Sequence, residues 1–224
     1  MANAAKIVLF DIDKTLMIQG RLHAESFSAG FERVYSVHAS TKEIDTNGMT
    51  DQQIIIEVLR KHGFSDRDIL AKMEDCKRAI VDFFQANKSM LKVSLLPGVR
   101  ELLAELEGRG FLIGSVTGNL EPIARAKFDS AGIAGYFSFG GFGSDDPERW
   151  KLVRLAIERS GAGPGTKAFL IGDTPLDVKA GLKAGVTTIA VATGAYSESE
   201  LSNSGAHHTI PDMSDTAAVI RLLG

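Results

Sequence analysis

The sequence predicts an α/β protein in which an open parallel sheet carries helices on both faces and a helical segment interrupts the sheet after its first strand. From residue 97 onward, short apolar runs alternate with helical patterns, as in parallel sheets with crossover helices. Residues 17–92 show helical periodicity instead and contain no convincing buried strand. We therefore expect a Rossmann-like core at residues 1–16 and 93–224, with an inserted all-helical cap domain at residues 17–92.

The individual elements follow from apolar spacing and from residues that start or stop helices. Pro97-Gly98 precedes a helix, and Thr50 or Asp51 is expected to cap one whose apolar face includes Ile54 and Val58. Linkers are expected near 17–21 and 89–96. The predicted strands lie at 6–10, 111–116, 135–139, 168–172 and 187–191. The predicted helices lie at 22–36, 50–61, from 65 toward 88, 98–108, 121–131, 147–160 and 175–184, with polar and helical material to residue 224.

Composition excludes several classes of partner. The 224 residues carry a formal net charge of -3 and no long basic run, which argues against nucleic acid as the main partner. No apolar stretch approaches the ~20 residues that span a bilayer, and the start of the chain does not resemble a signal peptide. A single cysteine, Cys76, excludes an internal disulfide bond. We expect a cytoplasmic monomer or homodimer that does not bind a membrane.

Two carboxylates follow the first predicted strand. Asp11 and Asp13 are two residues apart, so in an extended chain their side chains point to the same side. Ionised carboxylates this close repel each other and need a cation or a proton between them. The pair therefore indicates a site for a hard metal ion such as Mg²⁺, although a solvated turn after an edge strand has the same composition.

Other polar residues follow two further strands, and the carboxyl ends of parallel strands share one edge of a sheet. Thr117-Gly118-Asn119 precedes a helix and forms either an anion cradle or an ordinary turn. Asp173 and Asp177 are candidate metal ligands, with a helix N-cap and a first-turn acidic residue as the alternative. The helix start near 145–151 supplies cations to the same edge.

The joint pattern resembles the haloacid dehalogenase superfamily, in its phosphatase branch. It is carried by Asp11-Ile12-Asp13-Lys14-Thr15, then Thr117, a basic residue near 149–151, and Gly172-Asp173 followed by Asp177. The resemblance covers the whole core, about two thirds of the chain. The insertion resembles the helical cap of the phosphoglycolate phosphatase and beta-phosphoglucomutase group, with Gly48-Met49-Thr50-Asp51 similar to a turn of such caps.

The resemblance implies a role for each matching residue. Asp11 would be the nucleophile that forms an aspartyl-phosphate, and Asp13 the general acid and base. Thr15, Thr117, Gly118 and Asn119 would bind phosphate oxygens. Mg²⁺ would be held by Asp11, Asp13, Asp173 and Asp177, with Asp13 contributing its main-chain carbonyl.

Two positions depart from the family pattern. Lys14 stands where family members usually have glycine, so its role is open. The basic residue of the third motif is either Arg149 or Lys151, and Arg149 is preferred because it lies in the first turn of the helix. Asp51 either faces the substrate or caps its helix.

The function implied by the resemblance is hydrolysis of a small phosphomonoester by a Mg²⁺-dependent phosphatase, of the phosphoglycolate or sugar phosphate type. The partner is then a small phosphorylated metabolite. One alternative is a phosphomutase acting on a sugar phosphate. A more distant alternative is a non-enzymatic binding module with a phosphorylatable aspartate.

Overall fold

The computed structural model describes residues 6–224, so residues 1–5 of the predicted core lie outside the described residues. The strands are β1 (Ile7–Phe10), β2 (Met17–Gln19), β3 (Val93–Leu95), β4 (Leu112–Thr117), β5 (Phe139–Phe142), β6 (Ala168–Gly172), β7 (Thr187–Val191) and β8 (His208–Ile210). The helices are α1 (Leu22–Tyr35), α2 (Asp51–Lys61), α3 (Asp66–Ala71), α4 (Met73–Ala86), α5 (Val99–Gly108), α6 (Glu121–Ala131), α7 (Arg149–Arg159), α8 (Pro175–Ala184), α9 (Glu198–Asn203) and α10 (Thr216–Leu223).

Six strands form one sheet in the order β5-β4-β1-β6-β7-β8, and every pair is parallel. The first strand lies at the centre, with Phe10 beside Ser115 of β4 and Ile171 of β6. From β1 the chain adds β4 and β5 on one side of the sheet and then β6, β7 and β8 on the other. Open parallel sheets bind ligands in the crevice at such a switch point, beyond the carboxyl ends of the strands. The parallel α/β sheet predicted from the alternating pattern is confirmed.

The alternation of side chains along β1 divides the core into two layers. Val8 and Phe10 pack in a cluster to which α5 and α10 contribute buried residues. Ile7 and Leu9 point to the opposite face and pack with residues of α7 and α8. Because all four residues are buried, the strand reads as a continuous apolar run.

We use the name helical segment for residues 17–92. Its helices α1 to α4 share a separate apolar cluster, which also takes in Leu120 and Ile123 at the start of α6. The two ends of the segment meet in an antiparallel ribbon, where Met17 of β2 lies opposite Leu95 of β3. The helical segment thus packs against the start of α6 and is connected to the rest of the protein through the short paired strands β2 and β3.

Several predicted boundaries were wrong. The helix expected from residue 65 toward 88 is two helices, because Lys72 leaves helical geometry at φ -116 and ψ 9. The expected linkers contain β2 and β3, which pair with each other. The strand expected at 135–139 is shifted to β5, since residues 134–136 form a tight 3₁₀ turn. The sequence pattern also missed β8, whose three residues are too few to show alternation. Among residues 6–224, no helix is sufficiently long and apolar to cross a membrane.

Candidate active site

Three carboxylates meet at the carboxyl edge of the sheet. Asp11 follows β1, Asp173 follows β6, and Asp177 lies in the first turn of α8. Each offers an oxygen atom within 4.8 Å of the other two, and all three side chains are buried. The structure therefore brings three of the four predicted acidic residues together, whereas the carboxylate of Asp13 pairs with Lys127 at 2.8 Å.

Hydrogen bonds separate the roles of the two acidic residues near α8. Asp177 is part of a capping box, since its Oδ2 accepts from the amide of Thr174 at 3.1 Å and from the hydroxyl at 2.6 Å. Asp173 does not cap α8, because the N-cap residue is Thr174. A Cβ built on Gly194 would lie 1.8 Å from Asp173 Oδ2, so only a glycine admits the carboxylate there.

The structure distinguishes the two candidate cations. Arg149 is buried at the start of α7, donates from Nη2 to Asp11, and donates from Nε to Asp177 over 2.8 Å. The side chain of Lys151 is 40% exposed and pairs with Asp146 at 3.0 Å. Arg149 is thus the cation that contacts the predicted nucleophile, while Lys151 lies on the outer face of the helix. The catalytic role of either residue stays a prediction.

The acidic cluster has an excess of buried negative charge. Burial raises the pKa of Asp11 well above its usual value; Arg149 opposes this effect, and the neighbouring carboxylates of Asp177, Asp173 and Asp13 add to it. Burial and the nearby Asp177 raise the pKa of Asp173 to about 7. A bound cation would relieve this repulsion, and oxygen donors suit hard divalent ions. The donor set therefore fits a Mg²⁺ ion.

The predicted phosphate-binding residues lie at the same edge, although several of their polar groups are engaged within the protein. Thr117 Oγ1 accepts from the backbone N–H of Asn119 at 3.2 Å and from its side-chain amide at 3.0 Å. The hydroxyl of Thr15 donates to Asp173 over 3.1 Å. Gly118 and Asn119 line the cavity described below. The role of these residues in phosphate binding stays a prediction.

The helical segment closes over this edge of the sheet. The amide of Asp51 donates to the carbonyl of Gly118 at 2.8 Å, and a Cβ built on Gly118 would lie 2.2 Å from Met49 O. The cavity beneath the helical segment measures about 220 Å³. It is lined by Asp51 of the helical segment and by Asp11 and Asp13 at the edge of the sheet, among other residues. A volume of this size fits a small molecule.

A buried lysine beside Asp13 was not predicted. Lys127 lies on α6, and its Nζ is 2.8 Å from both Asp13 carboxylate oxygens. Burial raises the pKa of Asp13, but the charge of Lys127 and the hydrogen bonds from Lys127 and Asn119 lower it below the usual value. The available sequence signal was a charged residue on the apolar face of a helix, four residues after Ile123. The buried His23, whose Nδ1 lies 3.4 Å from Lys127 Nζ, carried no such signal, because this contact joins distant parts of the chain.

Lys14 adopts a backbone conformation that favours glycine. Its φ is 64°, in the left-handed region, where a side chain is strained. A glycine meets no such penalty, so the glycine of the family pattern would be less strained at this position than Lys14. The Lys14 ammonium donates to Asn47 Oδ1 at 2.7 Å on the rim of the cavity.

The class of protein is defined by a parallel sheet with an aspartate after its first strand, two further carboxylates after β6 and in α8, and a buried arginine that contacts Asp11 and Asp177. The chain belongs to the haloacid dehalogenase-like hydrolase family, whose sequence model matches residues 8–191. The family and the enzyme class predicted from the sequence, a HAD-like hydrolase, are thereby confirmed.

Individual relatives agree with this assignment. The chain is 26% identical to the pyrophosphatase PpaX of Oceanobacillus iheyensis, with 96% of each chain covered. It is 25% identical to a phosphoglycolate phosphatase of Aquifex aeolicus, covering 85% of this chain and 86% of the relative. The phosphoglycolate phosphatase name supports the phosphoric monoester class predicted for the enzyme.

Solved structures share the fold over nearly the whole chain. A Bacteroides vulgatus protein named as a candidate beta-phosphoglucomutase is 27% identical, with a TM-score of 0.68 over 98% of this chain and 89% of that one. The structure of CbbY from Rhodobacter sphaeroides in complex with phosphate matches with a TM-score of 0.72 at 20% identity, covering 94% and 96% of the two chains. The second likeness supports the fold alone.

Proposed function

We propose that the protein is a Mg²⁺-dependent phosphatase that hydrolyses a small phosphomonoester through an aspartyl-phosphate on Asp11. The observation that carries this proposal is the position of Asp11, which accepts from the Arg149 guanidinium and has an oxygen within 4.8 Å of the carboxylates of Asp173 and Asp177. Asp13 lies on the wall of the same cavity. A nucleophile, an acid/base group and charge-balancing groups are thus within one enclosed volume.

The chemistry divides into two displacements at phosphorus. An Asp11 carboxylate oxygen attacks phosphorus, the bond from phosphorus to the leaving oxygen breaks, and Asp13 gives that oxygen a proton. Asp13 then takes a proton from water as the water oxygen attacks phosphorus. The acyl phosphate bond breaks, Asp11 is restored and inorganic phosphate is released. Arg149 stabilises the negative charge that spreads over the phosphoryl oxygens.

The residues proposed to hold Mg²⁺ are Asp11, Asp173, Asp177 and the main-chain carbonyl of Asp13. When bound, the ion would neutralise charge on the transferring phosphoryl group and keep the nucleophile ionised. Thr15 would orient Asp173 through the hydroxyl contact described above.

We further propose the domain division expected from the sequence, with residues 1–16 and 93–224 as catalytic core and 17–92 as cap. The separate apolar cluster of the helical segment and the ribbon of β2 and β3 support it. Such a cap excludes water from the reacting phosphoryl group and encloses the rest of the substrate. The cavity of about 220 Å³ restricts the substrate to a small phosphorylated metabolite.

A phosphomutase is the second candidate, favoured by the 27% identity to the Bacteroides vulgatus protein. In that reaction the phosphoryl group on Asp11 passes to a second hydroxyl of a sugar phosphate instead of to water. The non-enzymatic binding module is set aside, because the chain belongs to a hydrolase family.

The experiment that tests the proposal is a screen for phosphate release across phosphorylated metabolites, with Mg²⁺ and with a chelator. We expect Mg²⁺-dependent release from one or a few small monoesters. Isomerised sugar phosphate without free phosphate would identify the mutase. Release that is undiminished by the chelator would contradict the metal requirement.

A further inference from the structure

The side chain of Lys127 is completely buried, which is rare for an ammonium group. It has 0% exposure and lies on α6 beside the apolar residues Ile123, Ala124 and Phe128. Moving a lysine from water into such surroundings costs several kcal/mol unless its hydrogens find partners. The partners that it finds therefore show what the side chain does there.

The ammonium hydrogens of Lys127 are directed at groups of the catalytic edge. Its Nζ lies 2.8 Å from Asp13 Oδ1 and 2.8 Å from Asp13 Oδ2, and it also donates to Asn119 Oδ1. A further contact of 3.4 Å reaches His23 Nδ1. Three acceptor groups thus surround an ammonium that has three N–H donors.

The partners of Lys127 are themselves held in place. Asn119 donates its side-chain amide to Asp13 Oδ2 at 2.9 Å. Because Lys127 donates to His23 Nδ1, the other ring nitrogen is assigned the proton and donates to Asp51 Oδ2 at 3.1 Å. Asp51 Oδ2 also accepts the amide of Leu120 at 2.8 Å. Because these partners are themselves hydrogen-bonded, rotating Lys127 away would leave the buried ammonium unpaired.

We propose that Lys127 is a positioning residue, which holds the Asp13 carboxylate in the orientation from which it transfers protons. Equal contacts to both oxygens fix the rotation of the carboxylate, and the amide of Asn119 fixes one oxygen a second time. The inference rests on the proposed function, because it gives Lys127 a task only where Asp13 is the acid and base. An ion pair of purely structural purpose is the alternative.

The dependence of the reaction rate on the leaving group distinguishes a positioning role of Lys127 from a purely structural one. An alkyl phosphate needs a proton on its leaving oxygen, whereas a nitrophenyl phosphate expels a stable anion without one. The ratio kcat/KM reports steps up to formation of the aspartyl-phosphate, so it senses Asp13 as acid but not as base. The value of kcat also includes the hydrolysis of that intermediate, for which Asp13 is the base.

The test is Lys127→Met, measured on both kinds of substrate with Mg²⁺. We expect kcat/KM to fall for both substrates, and the fold-loss for the alkyl phosphate to be at least about 10 times that for the nitrophenyl phosphate. A difference of this size lies within the range that acid–base catalysis contributes. The kcat for the nitrophenyl phosphate falls as the aspartyl-phosphate accumulates. In an Asp13→Asn background, Lys127→Met is expected to have little further effect.

A matched control is Lys77→Met, because Lys77 is also a poorly exposed lysine, at 13%, and pairs with Glu74 on α4. It is expected to leave both substrates unaffected. Lys127→Gln, which keeps an N–H donor, replaces the Met variant if circular dichroism shows that the latter does not fold. Equal losses on both substrates, or full additivity with Asp13→Asn, would overturn the inference. The proposed function would fail separately, by full activity in Asp11→Asn.

Discussion

The ammonium of Lys127 lies 2.8 Å from each carboxylate oxygen of Asp13, and joins helix α6 to the loop after β1. This pair places a buried cation beside the proposed acid/base residue. A second cation, Arg149, donates to Oδ1 of Asp11. Each of the two aspartates after the first strand therefore has its own positive partner.

Arg149 and Lys151 form a natural pair of variants, because one contacts Asp11 and the other faces solvent. Arg149→Met is expected to reduce kcat by about 100- to 1000-fold, the usual loss when a donor to developing charge is removed. Lys151→Met is expected to have little effect. Steady-state phosphate release measures both, and equal losses would contradict the assignment to Arg149.

Lys14→Gly is expected to be more stable than Lys14→Ala by roughly 1 kcal/mol, since alanine keeps the strain of a positive φ and glycine does not. Both variants remove the contact with Asn47, so their difference isolates the backbone. Urea denaturation measures it. Equal stability of the two variants would show that the left-handed conformation at this position is not strained.

Mg²⁺ is expected to raise the melting temperature of the wild-type protein, by the equivalent of about 2.7 kcal/mol at 100 times Kd. Asp173→Asn is expected to lose this gain. Without Mg²⁺ the variant should be at least as stable as wild type, because it removes a buried charge that Asp177 opposes. The exposed Asp129→Asn serves as control. Equal Mg²⁺ stabilisation of both variants would contradict the proposed ligand set.

Gly118→Ala tests the contact between the helical segment and the sheet. The added Cβ would lie 2.2 Å from the carbonyl oxygen of Met49, so the segment must move away. We expect a loss of about 1–3 kcal/mol in stability and a marked loss of activity. Gly135→Ala, which meets nothing within 4 Å, is the matched control. Unchanged stability and activity in Gly118→Ala would argue against this closed arrangement.

The meeting of Asp11 with Asp173 was predictable from sequence, because parallel strands that end in polar residues share one edge of the sheet. The choice between Arg149 and Lys151 was only a preference, since a shift of the helix start by two residues exchanges the inward and outward faces. The break at Lys72 was invisible, because apolar spacing continues across it.

Contacts between distant parts of the chain were hardest to predict. Lys127 and His23 are 104 positions apart and meet only after the helical segment packs on α6. Nothing in the local pattern of either residue identifies the other. The charged residue on an apolar helix face was a sign of an unusual environment, but its partner Asp13 is 114 positions away.

The proposed mechanism requires that Asp11 carries the phosphoryl group during turnover. Acid quenching during turnover, followed by digestion and mass spectrometry, measures this directly. We predict one phosphoryl group on the peptide that contains Asp11 in the wild-type enzyme, and none in a folded Asp11→Asn variant, which also stops releasing phosphate. Undiminished phosphate release by Asp11→Asn, or a phosphoryl group on another residue, would contradict this mechanism.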